Sequence, residues 1–457
     1  MKKSTLLICW AFLMPFFILA QTHVWTGNGG NEDWFDISNW NVNTIPDSNS
    51  SVQIPTNSTV RIDASNALAN SIDILGSSTL HLSSQLTMGS VIQISPNSEL
   101  IFDEGTLTGG TVDNEGLLQL ESLALKTLSN VVINNNSEFL VSNSNQIQLM
   151  NVEINNSVGS EINIASVGGF LSQGGSPSVL HNEGLLSKVP DGINPIGNFY
   201  LILDVNNHGI IDIAQDEAFL CLGGNITLQN METGIIRGNG TFDITADFIN
   251  TGTIAPGGEA TVGTLHITNN FNLSPPGALL IDIGNNVSEF DSIEVVGNPF
   301  LDGDIFVECQ FTPTPGDEFT IITATNGIAN CNFPQFVYAD LFASSYEFEV
   351  ICGPDTVILR YVREIILNSD EFVSNNELLI HPNPATEETQ LTFPSNLLAQ
   401  YERLEIMIYS GIGRLLNSFI VSSETSIIET NHLSSGIYLV QLVADGHVIG
   451  TKKLMKL

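Results

Sequence analysis

The chain has 457 residues, of which 49 are Asp or Glu and 13 are Lys or Arg, so its formal net charge is −36. Only four basic residues lie between residues 22 and 359, namely Arg61, Lys126, Lys188 and Arg237. They are too few and too scattered to form the cationic surface that nucleic acid or an anionic membrane requires, and a hydrophobic content of 42% excludes general disorder.

Residues 1–20 have the features of a secretory signal peptide. Two lysines precede an apolar run from Leu6 to Ala20, which ends on a small residue before Gln21. The run is shorter than the ~20 apolar residues of a membrane span, and no later segment is long and apolar enough to cross a bilayer. The mature chain is therefore expected to be exported, without a transmembrane segment.

Residues 21–55 are predicted to form an N-terminal cap, because they contain all the tryptophans of the mature chain. These are Trp25, Trp34 and Trp40. Either the rings form a platform for a sugar, or they cover the open end of a stacked fold, where large aromatic side chains bury the most area. We favour the second interpretation.

Residues 56–310 consist of short runs that alternate apolar and polar side chains and are bounded by Asn, Gly and Ser. The motif Asn-x-Gly followed by Leu or Ile begins at Asn114, Asn182 and Asn207, and the last two copies are 25 residues apart. Repeats of this length are typical of stacked rungs. The sequence therefore predicts an all-β fold, a right-handed parallel β-helix (solenoid) followed by a small C-terminal β-sandwich. A β-sandwich is the alternative for the repeated region itself.

The repeated asparagines are expected at turns and at outward-facing positions. Stacked like charges repel one another, whereas Asn, Ser and Thr can be stacked, and Asn tolerates the left-handed conformation of turns. The low content of charged residues, 14%, is what the surface of a solenoid favours.

Residues 311–367 are predicted to end the solenoid with antiparallel strands. A disulfide between Cys331 and Cys352 is predicted there, since both lie at the edges of strand-like runs near turns and export permits disulfides. Cys221 is expected to be a small buried side chain. No Cys or His spacing typical of zinc occurs.

Two segments resemble parts of known β-helix proteins. Residues 25–55, with Trp25-Thr26-Gly27 and Asn39-Trp40, resemble the start of many exported bacterial β-helix proteins. Residues 250–322, with the segments 250–257 and 263–265, resemble the end of autotransporter-type β-helices. Both resemblances imply a fold, and neither carries an enzymatic activity.

The tail, 377–457, follows a predicted linker and cleavage zone, 368–376, and contains several motifs in a defined order. It resembles the type A C-terminal sorting domain of the type IX secretion system. The resemblance implies that the type IX machinery is a partner, and that the tail is removed after passage through the outer membrane. The protein is then released or attached to lipopolysaccharide, on the exterior of a Gram-negative outer membrane. The matching residues are Pro382, Asn383, Pro384, Tyr409, Gly413, Arg414, Gly436, Tyr438, Lys452 and Lys453.

Parallel β-helices often carry polysaccharide lyases or hydrolases, so paired carboxylates are candidate catalytic groups. The best clusters are formed by Asp212, Asp216 and Glu217, and by Glu289, Asp291 and Glu294. We interpret both as solvated turn residues. Calcium is an alternative for the second region, because hard oxygen ligands on turns suit this ion, and its candidate ligands are Asp291, Asp302 and Asp304.

The remaining chemistry-bearing residues show no motif of a known catalytic or cofactor site. The histidines His81, His181, His208 and His266 each lack a Cys or Glu partner at ligand spacing, and no nucleophile elbow, P-loop or dinucleotide motif is present. The sequence thus predicts a non-enzymatic secreted or cell-surface solenoid with a structural, adhesive or glycan-contacting role and no cofactor. The alternative is a β-helix polysaccharide lyase or glycoside hydrolase that acts on extracellular glycans.

Overall fold

A computed structural model describes residues 22–174, 177–193, 197–221, 223, 225–258, 261–269, 271–340, 344–366, 378–401, 403–411, 413–445 and 447–457. The predicted signal peptide and the predicted linker lie outside the described residues. Strands account for 58% of the chain and helices for 2%, which confirms the all-β class. The short helices are the 3-10 helix Ile37–Asn39 and the α-helix Leu397–Gln400.

Three parallel sheets form a solenoid of about 11 turns, to which each turn contributes one strand per sheet. This arrangement confirms the predicted stacking of rungs. Sheet 1 contains Thr22–Val24, Ser51–Ile54, Ser71–Ile74, Val91–Ile94, Thr111–Asn114, Val132–Asn135, Glu153–Asn156, Val179–Asn182, Asp204–Asn207, Thr227–Asn230 and Asp247–Asn250. Sheet 2 contains Thr59–Ile62, Thr79–Leu82, Glu99–Phe102, Leu117–Leu120, Glu138–Ser142, Glu161–Ala165, Leu185–Lys188, Ile210–Ile213, Ile235–Gly238, Thr253–Pro256, Ala278–Ile283 and Asp304–Cys309.

Sheet 3 begins with parallel strands and ends with antiparallel ones. The parallel strands are Asn66–Ala69, Gln85–Met88, Gly105–Thr108, Lys126–Ser129, Gln146–Met150, Gly168–Ser172, Gly197–Ile202, Glu217–Cys221, Thr241–Ile244, Thr264–Asn269, Ser292–Val296 and Glu318–Ala324. The antiparallel strands are Thr356–Ile366, Ser344–Cys352 and Phe336–Asp340. Three short strands, Asn272–Leu273, Phe300–Leu301 and Asn330–Cys331, form a separate parallel stack. Parallel pairing therefore extends beyond both ends of the predicted segment 56–310.

The rung strands form because their side chains alternate between the interior and the surface. Val52, Ile72 and Ile92 occupy matched positions in sheet 1 and are buried, and each packs on the equivalent residue of the next rung. β-Branched side chains fit such a pleated surface well. The same pattern in all three sheets produces one continuous apolar core along the solenoid.

A row of seven buried asparagines runs along the inner side of sheet 1, at the last position of successive strands. In each pair the Nδ2 atom of one amide donates to the Oδ1 atom of the next, at 2.7 to 2.8 Å. Each donating amide also reaches a backbone carbonyl, as Asn114 reaches Glu138 at 2.7 Å. We call this row the asparagine ladder, and its members are Asn114, Asn135, Asn156, Asn182, Asn207, Asn230 and Asn250.

The asparagine ladder corrects the expected placement of the repeated motif. Asn114, Asn182 and Asn207, which begin the repeated copies, are 0% exposed and face inward. The reason is that an amide can be buried when every rung supplies both a donor and an acceptor for it. Other asparagines do occupy turns with positive φ, as expected, including Asn57 at 64° and Asn97 at 66°.

The glycine of the same motif is required by the close approach of neighbouring rungs. A Cβ atom at Gly184 would lie 2.2 Å from the carbonyl oxygen of Ser160, and one at Gly209 would lie 2.1 Å from the carbonyl oxygen of Gly184. No side chain fits at these distances. The motif thus combines a ladder amide with a turn that passes directly beside the preceding rung.

The N-terminal segment covers the first rung with its three tryptophans. Trp34 and Trp40 are 0% and 1% exposed, and both Trp25 and Trp34 contact Trp40 edge to face, with ring centroids 5.1 and 4.9 Å apart. Trp40 donates its Nε1–H to the carbonyl oxygen of Trp34 at 2.8 Å. Because the ring faces are buried, the interpretation as a sugar platform is wrong and the rings close the apolar core.

The described part of the sorting tail folds around a core of its own. One antiparallel sheet contains Leu379–His381, Glu388–Thr392 and Thr425–Glu429. The other contains Leu415–Ile420, Leu404–Ser410, Gly436–Ala444 and His447–Lys456. Small antiparallel sheets thus follow the solenoid.

We predict that the asparagine ladder contributes far more to stability than outward asparagines do. Asn156→Ala removes a buried amide that accepts from Asn135 and donates to Asn182 and to the carbonyl of Leu185. It should lower the free energy of unfolding by about 2–4 kcal/mol, since buried groups lose their partners. The adjacent outward residue provides the matched control, and Asn155→Ala should cost less than about 0.5 kcal/mol. Equal shifts of the two urea midpoints would contradict this.

Candidate functional site

The first predicted carboxylate cluster does not converge on one point. Asp212 and Arg237 are register partners on adjacent rungs of sheet 2, and their Oδ2 and Nε atoms are 2.7 Å apart. Asp216 lies in a turn with φ of 63°. Glu217 is buried and forms an ion pair with the buried Lys188. Two of the three carboxylates are thus held by cations from neighbouring rungs, instead of facing a common groove.

The second cluster is also dispersed. Asp291 is 1% exposed, and its two oxygens accept backbone N–H groups of Gly263 and Asp282 at 2.8 and 3.0 Å. Burial raises the pKa of Asp291 to about 7, although these two bonds act in the opposite direction. Glu294 faces His266, with Oε2 and Nδ1 3.1 Å apart.

The candidate calcium ligands do not form a metal-binding group. Asp291 is committed to backbone amides, Asp302 accepts a hydrogen bond from Asn332 at 3.2 Å, and Asp304 is exposed on the last strand of sheet 2. Among the residues that the structure describes, no three His, Cys, Asp or Glu side chains gather around a point that could hold an ion.

Three histidines lie beside a polar side chain on the next rung. The spacing of residues within one rung does not predict these contacts. His266 pairs with Glu294, and the Nδ1 atom of His81 lies 3.4 Å from Asp103 Oδ2. His181 lies 3.3 Å from the amide nitrogen of Asn206. These partners are 22 to 28 residues apart, which is one turn of the solenoid. The repeat length was the signal that could have identified them.

Lys126 is a buried cation. The sequence shows it only as one of four scattered basic residues and gives no sign of its burial. Its Nζ atom donates to the carbonyl oxygens of Ser122 and Ala124 at 2.6 and 3.1 Å and to Ser144 Oγ at 3.3 Å. Burial lowers the pKa of Lys126 to about 8, and nearby carboxylates, led by Asp103, partly offset this change. The lysine is thus held by neutral oxygens inside the solenoid.

A shallow hollow of about 480 Å³ lies on the outer surface of sheet 3. Gly168 and Val167 line it, and the adjacent Gly169 is the register partner of Gln146 on the preceding rung and of Tyr200 on the following one. A Cβ atom at Gly169 would lie 2.6 Å from Tyr200 Cβ, so no side chain fills this position. The walls are provided by Asn145, Gln146, Leu171, Asn198, Tyr200 and Ile202.

The structure joins Cys331 and Cys352, the pair singled out from the sequence, in a disulfide with Cα atoms 6.0 Å apart. The bond connects the short parallel stack to an antiparallel strand of sheet 3. Cys221 and Cys309 are free thiols, both buried, and burial raises the pKa of each. They are therefore poor nucleophiles.

Among the motif residues of the tail, Asn383 contacts the last strand, whereas the hydroxyl of Tyr438 and the turn at Gly413 make local contacts. Asn383 donates from Nδ2 to the carbonyl of Lys453 at 2.8 Å and accepts the backbone N–H of Met455 at 2.8 Å. Tyr438 donates its hydroxyl to the carbonyl of Ser434 at 2.7 Å. Gly413 adopts φ of 75° in the turn after Tyr409. Which of these residues the secretion machinery requires stays a prediction.

We predict that Lys126 makes stability rise with pH. Between pH about 8 and 10.5 the unfolded chain keeps a proton that folded Lys126 has released, so the free energy of unfolding increases through this window. Lys126→Met should remove this increase, which amounts to about 3 kcal/mol over the whole window. Urea midpoints of the two proteins at several pH values test this, because shared groups cancel in the difference. Parallel profiles would contradict the prediction.

Two known families match parts of the chain. The family described as a secretion system C-terminal sorting domain matches residues 379–456, and the family described as a G8 domain matches residues 39–119, within the cap and the first rungs. No curated protein matches the chain. Among the described residues, no helix is long and apolar enough to cross a bilayer. The chain therefore consists of a β-solenoid, which includes a G8 domain, and a type IX sorting domain that directs it to the cell surface or the medium.

Proposed function

We propose that the exported solenoid is a non-enzymatic protein with a structural or adhesive role on the exterior of the outer membrane, where it contacts glycans. The observation that carries this proposal is the outer face of sheet 1. Matched outward positions on successive rungs present a nearly unbroken row of polar side chains, which suits repeated hydrogen bonds to a polymer. The row consists of Gln53, Asp73, Gln93, Asp113, Asn134, Asn155, His181, Asn206 and Gln229.

Hydrogen bonds between rungs hold this polar row in place. Asn134 donates to Asp113 at 2.7 Å, and Asn155 donates to Asn134 at 3.1 Å. Side chains fixed in this way lose little conformational entropy when a ligand binds. A flat and regular surface of amides favours contact with an extended partner.

The distribution of ionisable groups supports a non-enzymatic role. Hydrolysis of a glycoside needs two carboxylates on one groove, about 5 to 10 Å apart. Asp212 and Glu217 are instead paired with Arg237 and Lys188, and Asp291 is buried against backbone amides. A lyase needs an accessible base and cations near its substrate, whereas Lys126 and Lys188 are both 0% exposed.

Incubation of the purified protein with a glycan panel, scored for both binding and chain cleavage, tests the proposal. We expect binding without cleavage. Cleavage that is abolished by Asp212→Asn together with Asp216→Asn would overturn the non-enzymatic role and favour a glycoside hydrolase. An exposed carboxylate outside the polar row of sheet 1 serves as control, because Asp63→Asn should leave any cleavage unchanged.

Deletion of residues 377–457 tests the export route. The truncated protein should accumulate in the periplasm, because the sorting domain is the part that engages the type IX machinery. Cell fractionation and surface labelling measure the distribution, and protease resistance of the retained solenoid controls for its folding. Normal appearance of the truncated protein at the surface would show that another signal directs export.

A further inference from the structure

The hollow on sheet 3 combines an exposed aromatic ring with carboxamides. Tyr200 lines the hollow and is 37% exposed, and its Cβ and backbone pack closely against Gly169 on the preceding rung. Leu171 and Ile202 are register partners and add apolar surface to the wall. Binding sites for small ligands commonly have such a mainly apolar lining with a few convergent polar groups.

Amide side chains supply the polar groups of the hollow. Asn145, Gln146 and Asn198 each offer two N–H donors and a carbonyl acceptor, and all three are exposed. None of the described residues that line the hollow carries a charge. A ligand that fits must therefore present hydroxyl groups together with an apolar face, and needs no ionic partner.

The net charge of the protein further restricts the class of ligand that the hollow can bind. With a formal net charge of −36, the surface repels polyanions such as uronate polymers. A neutral sugar ring meets the remaining requirements, since its C–H face can stack on a tyrosine ring while its hydroxyls bond to amides. The volume of about 480 Å³ lies within the range of about 300 to 1,000 Å³ usual for small-ligand sites.

We propose that the hollow lined by Tyr200 is a binding subsite for a neutral oligosaccharide. The proposal rests on the glycan-contacting role inferred above and names the ligand class and the place of contact. Tyr200 supplies the stacking surface, and Asn145, Gln146 and Asn198 orient the sugar through its hydroxyls. The Gly168-Gly169 pair allows the neighbouring rungs to approach closely at the hollow, because a Cβ atom at Gly168 would lie 2.2 Å from the carbonyl oxygen of Asn145.

The test compares variants of the full chain for binding to cello-oligosaccharides, laminarin, mannan and xylan, with polygalacturonate as the anionic probe. Tyr200→Ala should weaken binding of the neutral probe by at least about tenfold, as loss of an aromatic stacking surface predicts. Tyr200→Phe should retain most of the affinity because it keeps the ring. Tyr338→Ala is the matched control, since Tyr338 is a 48% exposed tyrosine at the C-terminal end of the solenoid, and it should bind as the unaltered protein does.

The outcomes separate this inference from the proposed function. Neutral-glycan binding that survives Tyr200→Ala, or binding of polygalacturonate alone, overturns the hollow as the subsite and leaves the glycan-contacting role in place. Absence of binding to every probe overturns both. Unchanged circular dichroism and thermal midpoints of the variants verify folding, and Tyr200→Phe preserves the test if Tyr200→Ala proves unstable.

Discussion

Seven asparagine amides inside the solenoid can be buried only because each neighbouring rung supplies a hydrogen-bond partner. An unpaired amide in an apolar interior costs about 1–3 kcal/mol, so a shift of one rung by a single residue, which would break several of these bonds, would be heavily penalised. The asparagine ladder therefore fixes register along the part of sheet 1 in which it runs. Apolar stacking also specifies register, since a slip by one residue would turn buried side chains such as Val52, Ile72 and Ile92 outward, and the ladder adds a directional constraint to it.

Because the partners of a residue lie one rung away, only some features of the fold can be predicted from the sequence. Period-two alternation and repeats of about one rung identified the solenoid, since both arise directly from stacked short strands. The side of the sheet on which the repeated Asn lies was assigned wrongly, because a single sequence shows residue type and spacing but not the partner one rung away. For the same reason the contact of His266 with Glu294 was missed.

Charged residues on adjacent rungs only partly follow the expected avoidance of stacked like charges. Opposite charges lie on adjacent rungs at Asp212 and Arg237, as the repulsion of stacked like charges favours. Glu138 and Glu161 are nevertheless register partners, and both are exposed. Their position on the surface allows water to screen the repulsion, so the scarcity of stacked charge is a tendency of this fold and not a requirement.

The asparagine ladder also has a direction. Each of the first six amides donates to the amide on the next rung toward the C-terminus, so the side-chain dipoles are aligned like those along a helix axis. At the first rung, Asn114 Oδ1 is satisfied by the backbone N–H of Gly116 at 3.1 Å, whereas Asn250 Nδ2 is buried without an acceptor among the described residues. An additional Asn-bearing rung inserted after Asn250 would supply an acceptor for this donor. A rung inserted before Asn114 would add no missing hydrogen bond, because Asn114 Oδ1 already accepts one. Lengthening of the protein by duplication is therefore easier at one end of the ladder than at the other.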